Sequence, residues 1–165
     1  MSTIIQGDQV RAIQAGILVS KSATVLVTNS ANALFTVSTG IVQINALFGR
    51  VTSAVANTAS LTGKFTYTPS GGSIADLTAA TAIDNDAVGT YYGWSFPDGD
   101  ELTSQLTEGG TEVPSVNFVP KLNPPAFLGP GAVTFTVSNH DPGTGAVKWF
   151  CLYTPIEAGS TVSVT

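Results

Sequence analysis

Ala132-Val133-Thr134-Phe135-Thr136-Val137-Ser138 and Ala146-Val147-Lys148-Trp149-Phe150-Cys151-Leu152-Tyr153-Thr154 decide the fold class of this chain. Both runs are rich in β-branched and aromatic residues, which suit a pleated surface packed on one face. Between them lies Asn139-His140-Asp141-Pro142-Gly143-Thr144-Gly145, a cluster of residues that set turns by fixed φ, by positive φ or by side-chain bonds to the local backbone. The spacing predicts a β-hairpin.

The same pattern extends outward. In residues 60–68, Leu61, Gly63, Phe65 and Tyr67 alternate with Thr62, Lys64, Thr66 and Thr68. Period 2 places the two sets on opposite sides of a sheet. Residues 41–52 read likewise, with Val42, Ile44, Ala46 and Phe48 on one side and Ile41, Gln43, Asn45 and Leu47 on the other. Shorter strand candidates cover 23–28 and 33–38, joined by Asn29-Ser30-Ala31-Asn32, then 90–96 and 161–165. Residues 102–107 read as a strand or one helical turn, and the apolar, Thr-rich stretch 74–83 is undecided.

Pro114, Pro120, Pro124, Pro125 and Pro130 fall in one stretch, which excludes a central strand there because proline donates no ladder hydrogen bond. About eight or nine strands follow, with no strong helix, no β-α alternation and no internal repeat. The reading is all-β: one antiparallel β-sandwich or jelly-roll-like domain over 23–165, preceded by an N-terminal arm or short helix over 1–22.

Composition narrows the function. The chain has 165 residues, enough for a single core without staples. It carries 6 Lys+Arg and 11 Asp+Glu, 10% charged, against about 25% in an ordinary soluble domain. The net charge of −5 argues against nucleic acid as a main partner, since phosphate binding needs clustered cations. No apolar run approaches the ~18 residues of a membrane helix. Met1–Asp8 lacks the basic and apolar regions of a secretory signal, which suggests synthesis and folding in a reducing cytoplasm. Cys151 is the one cysteine, expected to be buried and inert within its strand.

The search for chemistry returns no catalytic, cofactor or metal set. His140 is the single histidine and sits in a turn beside Asp141, a poor arrangement for a triad. One His and one Cys do not fill a zinc site. Asp84-Asn85-Asp86 and Asp98-Gly99-Asp100-Glu101 offer oxygen ligands for calcium, or a carboxylate pair for glycoside hydrolysis, but neither has EF-hand spacing and both read as turns. Tyr92 and Trp94 fall on one face and Tyr91 on the other, so the pair serves either core packing or a carbohydrate-binding module. The absence of a catalytic constellation favours a structural or interaction protein over an enzyme.

Three stretches carry a resemblance. Residues 33–52 hold Leu34-Phe35-Thr36-Val37 and Gly40. Residues 76–91 hold Ile83-Asp84-Asn85-Asp86. Residues 145–159 hold Gly145-Ala146-Val147-Lys148-Trp149 and Tyr153-Thr154-Pro155. In this order and spacing, from about residue 23 onward, the chain resembles small structural proteins of tailed-bacteriophage virions. The aromatic stretch at Tyr91–Trp94 and the proline-rich segment depart from that pattern.

The resemblance implies a decoration, or cement, protein on the outer surface of the capsid, made in the host bacterial cytoplasm. Its partner would be the major capsid protein. It also implies a homo-oligomer, a trimer by preference, with residues 1–22 as an arm over the shell or a neighbour. A tail, fibre or head-tail component is the alternative within the virion. The few charges lie largely in turns (Asp84, Asp86, Asp98, Asp100, Glu101, Asp141), so the strands are expected to be nearly neutral and partly covered by partners.

Overall fold

The computed structural model describes residues 16–27, 31–56, 60–94, 102–105, 125–139 and 143–165. Twelve strands form among them: β1 (Ile17–Val25), β2 (Ala31–Ser38), β3 (Val42–Ser53), β4 (Thr62–Pro69), β5 (Ala75–Asp76), β6 (Thr81–Ala82), β7 (Tyr91–Trp94), β8 (Leu102–Gln105), β9 (Ala126–Leu128), β10 (Gly131–Ser138), β11 (Ala146–Pro155) and β12 (Thr161–Val164). The first sheet runs β1-β11-β3-β7-β8, with β9 beside β7 along β3. The second runs β12-β2-β10-β4-β5, with β6 beside β5 along β4. All pairs are antiparallel. From β1 to β4, and again from β9 to β12, successive strands cross from one sheet to the other. This is the double-sheet path of a jelly roll, the all-β sandwich expected from the sequence.

The predicted hairpin does not form. β10 pairs with β2 and β4 in the second sheet, while β11 pairs with β1 and β3 in the first. β10 and β11 lie in different sheets, so the chain crosses the sandwich between them. The two strands therefore meet face to face, with the rings of Phe135 and Trp149 4.8 Å apart. The strands expected at 23–28 and 33–38 likewise fall in different sheets, as parts of β1 and β2. Asn32 ties that connection, accepting from the Val27 N–H and donating to the Val27 carbonyl at 3.1 Å each, and donating to the Phe135 carbonyl at 3.0 Å.

The core lies between the sheets. Phe65 and Phe135 from the second sheet interleave with Tyr92 and Trp149 from the first, at edge-on, stacked and tilted angles. Burying side chains of this size contributes about 1.5–3 kcal/mol each. The alternation read in residues 60–68 holds, with Leu61, Gly63 and Phe65 buried.

In β3 the alternation changes phase. The register with β11 shifts between Leu152 and Tyr153, leaving Asn45 as an extra residue. Its side chain fixes the bulge, donating to Thr154 Oγ1 at 2.9 Å and accepting from Gln43 Nε2 at 2.7 Å. Val42 and Ile44 point inward before the bulge, and Leu47, Gly49 and Val51 after it. Phe48 therefore faces out, and not inward with Val42 and Ile44 as period 2 alone predicts.

The sheet begins at Ile17, inside the segment read as an arm. β1 is a long edge strand with two features that discourage further pairing. A bulge interrupts it between Lys21 and Thr24. Lys21, opposite the buried Trp149, holds an inward register position and donates its ammonium proton to the Thr165 carbonyl. Residues 1–15 and most of the proline-rich stretch lie outside the described residues.

Candidate interaction face

The two outer faces differ in chemistry. On the outer side of the second sheet, Thr36, Thr62, Thr68, Thr136 and Ser163 are at least partly exposed, while Thr66 and Thr134 between them are buried. Thr66 shares hydrogen bonds with Thr134 at 2.5 Å and Thr136 at 3.2 Å. Hydroxyls that satisfy one another explain how this face stays nearly charge-free. Its one ion pair among the described residues, Lys64–Asp76 at 2.7 Å, is exposed and contributes little.

The first sheet shows apolar side chains. Leu18 pairs with Leu152, and Ser20 with Phe150, which pairs in turn with Phe48. The Phe48 and Phe150 rings stack at 4.9 Å and 17°. The Lys148 ammonium sits 5.4 Å from the Phe150 ring centre, a cation–π contact. Lys148 pairs with Arg50, and Arg50 with Tyr91. Leu18 is 60% exposed, and Phe127 on β9 is 61% exposed. Two of the chain's six cations thus border an aromatic ridge, and the strands are less neutral than the sequence suggests. Such a face can bind a partner by burying apolar area. Because Phe150 has Phe48 on one side and Lys148 near it, it is not an open platform for stacking a sugar ring.

The residues singled out from sequence separate as follows. Tyr92 and Trp94 are both buried, the former wholly, so the sugar-binding use of this pair is excluded and core packing is correct. The Tyr92 hydroxyl donates to Asp86 Oδ2 at 2.7 Å. Asp86 is 2% exposed, and Asn85 before it adopts φ 65°, so Asp84-Asn85-Asp86 is a turn with one inward carboxyl. Among the described residues no three His, Cys, Asp or Glu side chains gather as a metal group. His140, Asp141 and Asp98-Gly99-Asp100-Glu101 lie outside the described residues.

Cys151 is buried, and burial pushes its thiol up to about 12, far from reactive thiolate. It is expected to resist iodoacetamide in the folded protein at pH 8 and to react fully in urea, as read by mass spectrometry. Rapid labelling without denaturant would show that β11 is exposed.

Sequence reasoning missed the outer ridge. Half of it was readable: Lys148, Phe150 and Leu152 alternate with Trp149, Cys151 and Tyr153. Phe48 was not, because no local residue signals the bulge at Asn45. Comparison of the chain with family models, characterised proteins and solved structures returns no match.

Proposed function

We propose that this chain is a tailed-bacteriophage virion structural protein of the head-decoration (cement) type. In this reading it binds the assembled shell through the outer face of its first sheet. The observation that carries the reading is the ridge of exposed Leu18 and half-buried Phe48, Phe150 and Leu152 along the outer face of the first sheet. The three sequence stretches that resemble phage virion proteins supply the partner class.

A cement protein does no chemistry. It binds the assembled shell in preference to free subunits, which favours assembly by mass action. A closed sandwich with little charge suits that task, because rigid apolar surface is buried without desolvating many ions. The major capsid protein is the proposed partner, and a homotrimer at a symmetry axis is the proposed form. The outer surface of the virion is the proposed location.

The test is cosedimentation with expanded shells that lack this protein. Saturable binding is expected, and light scattering should give a trimer. Phe150→Asp places a charge in the ridge and removes about 1.5–3 kcal/mol of apolar burial. Binding to shells should then weaken roughly 10- to 100-fold, with an unchanged circular dichroism spectrum. Wild-type protein that ignores shells would overturn the proposal. Density on the tail in electron micrographs of particles would instead support a tail, fibre or head-tail component.

A further inference from the structure

The segment of residues 83–90 links the two sheets at one end of the sandwich. It leaves β6 in the second sheet and enters β7 in the first. Its start is fixed by the Ile83 N–H on the Leu61 carbonyl at 3.0 Å, just before β4. Its end is fixed on β3, where the Gly89 N–H reaches the Val51 carbonyl at 2.9 Å and the Val51 N–H reaches the Thr90 carbonyl at 2.8 Å. In the middle, the Val55 N–H donates to the Asp86 carbonyl at 2.9 Å and the Asn85 N–H to the Ala56 carbonyl at 3.3 Å. Ile83 at its start and Val55 on the β3 side are both buried.

At the centre of this strap is the Asp86 carboxyl. It is buried, and among the described residues its one side-chain partner is the Tyr92 hydroxyl. Tyr92 from β7 and Asp84 from the strap itself are the ionisable groups that act on it among the described residues. The first donates a hydrogen bond and the second is a like charge. Tyr92 stays protonated, because burial and the neighbouring carboxylate push its pKa far up. Among the described residues no cation is paired with Asp86. A buried carboxylate without a counter-ion is costly, whereas a buried neutral carboxyl with a hydrogen bond is not.

We propose that residues 83–90 form a proton-dependent latch, closed over the end of the sandwich when Asp86 is neutral and loosened when Asp86 is charged. Burial raises the Asp86 pKa from 3.8 to about 6, with the Tyr92 bond opposing and Asp84 adding to the rise. The folded state therefore holds this proton more tightly than the unfolded chain. Its stabilising effect is fully present below the unfolded value and is lost as pH rises through the folded one. The latch is thus tight in mild acid and weakest above pH 6. This inference is independent of what the outer face binds.

The test is hydrogen exchange of residues 83–90, corrected for intrinsic rates, from pH 5 to 8 in the wild type and in Asp86→Asn. The wild-type strap is expected to lose protection by about tenfold or more across that window, one pK unit of coupling being a factor of ten. Asp86→Asn should show no such step, and Tyr92→Phe should move the step to higher pH by removing the bond that favours the carboxylate. Should Asp86→Asn not fold, the wild-type Asp86 carboxyl can be followed directly by carbon NMR, with a midpoint expected near 6. An ordinary aspartate midpoint, or a wild-type step that Asp86→Asn retains, would overturn the latch.

Discussion

Truncating Trp149 to alanine is expected to lower the unfolding free energy by about 3–5 kcal/mol, measured by urea denaturation. The side chain has no exposed surface. Its rings meet Phe135 at 4.8 Å and Phe65 at 5.7 Å in the opposite sheet, and Tyr92 at 6.4 Å in its own. With the Tyr92–Phe135 stack, it joins the aromatic layers of both sheets, so its removal leaves a cavity between them. A domain holds about 5–15 kcal/mol in all. At roughly 2–4 °C per kcal/mol, the thermal midpoint should fall by on the order of 10 °C.

Trp149→Phe separates packing from hydrogen bonding. It keeps a ring between the sheets and loses the indole N–H bond to Thr24 Oγ1, which is long at 3.3 Å. Thr24 is half-buried on the edge strand, so water can replace the lost donor. The phenylalanine variant should therefore recover most of the alanine deficit. A Trp149→Ala loss below about 1 kcal/mol is incompatible with a fully buried site of this volume, and would mean that the sheets do not pack as described.

The strands were legible because side-chain alternation is local, whereas their partners were not. Residues 132–138 and 146–154 each carry an inward apolar row, and in the sequence Pro142-Gly143 between them reads as a turn signal. Turn chemistry does not say whether the chain reverses within a sheet or across the sandwich. That choice is made by distant segments. Thr134 pairs with Thr66 on one side and Ala33 on the other, and no feature of residues 132–138 names either.

The phase of β3 was hidden for a similar reason. Asn45 looks like an ordinary polar position, and its role as the extra residue depends on Thr154 in another strand. The outer ridge follows from that bulge, so it could not be read before the pairing was known. By contrast, the inward pair Tyr92 and Trp94 was assigned to one face correctly, because β7 is short and regular. What alternation left open there was whether the shared face was core or surface.

Gly49→Ala tests the closest packing in the first sheet. Gly49 on β3 lies directly opposite Trp149 on β11 and Tyr92 on β7. A Cβ at this position would come within 2.5 Å of Trp149 Cε3 and Cζ3 and 2.6 Å of Val147 Cγ1. The indole cannot withdraw, because Phe65, Phe135 and Tyr92 enclose it. Two effects compete. Alanine in place of glycine within a strand gains roughly 0.5–1 kcal/mol from the smaller entropy of the unfolded chain. Overpacking a filled core costs about 1–3 kcal/mol, and more where nothing yields. The steric term should win, with a net loss of about 2 kcal/mol in urea denaturation. The cause is specific, and a double-mutant cycle exposes it. In a Trp149→Leu background the indole carbons that oppose the new methyl are gone, so adding Gly49→Ala should cost little or become favourable. A coupling of about 0.5–3 kcal/mol is expected for residues in such contact. Strictly additive losses would show that the two side chains do not meet, and that the jelly roll's first sheet is not held against its second through this ring.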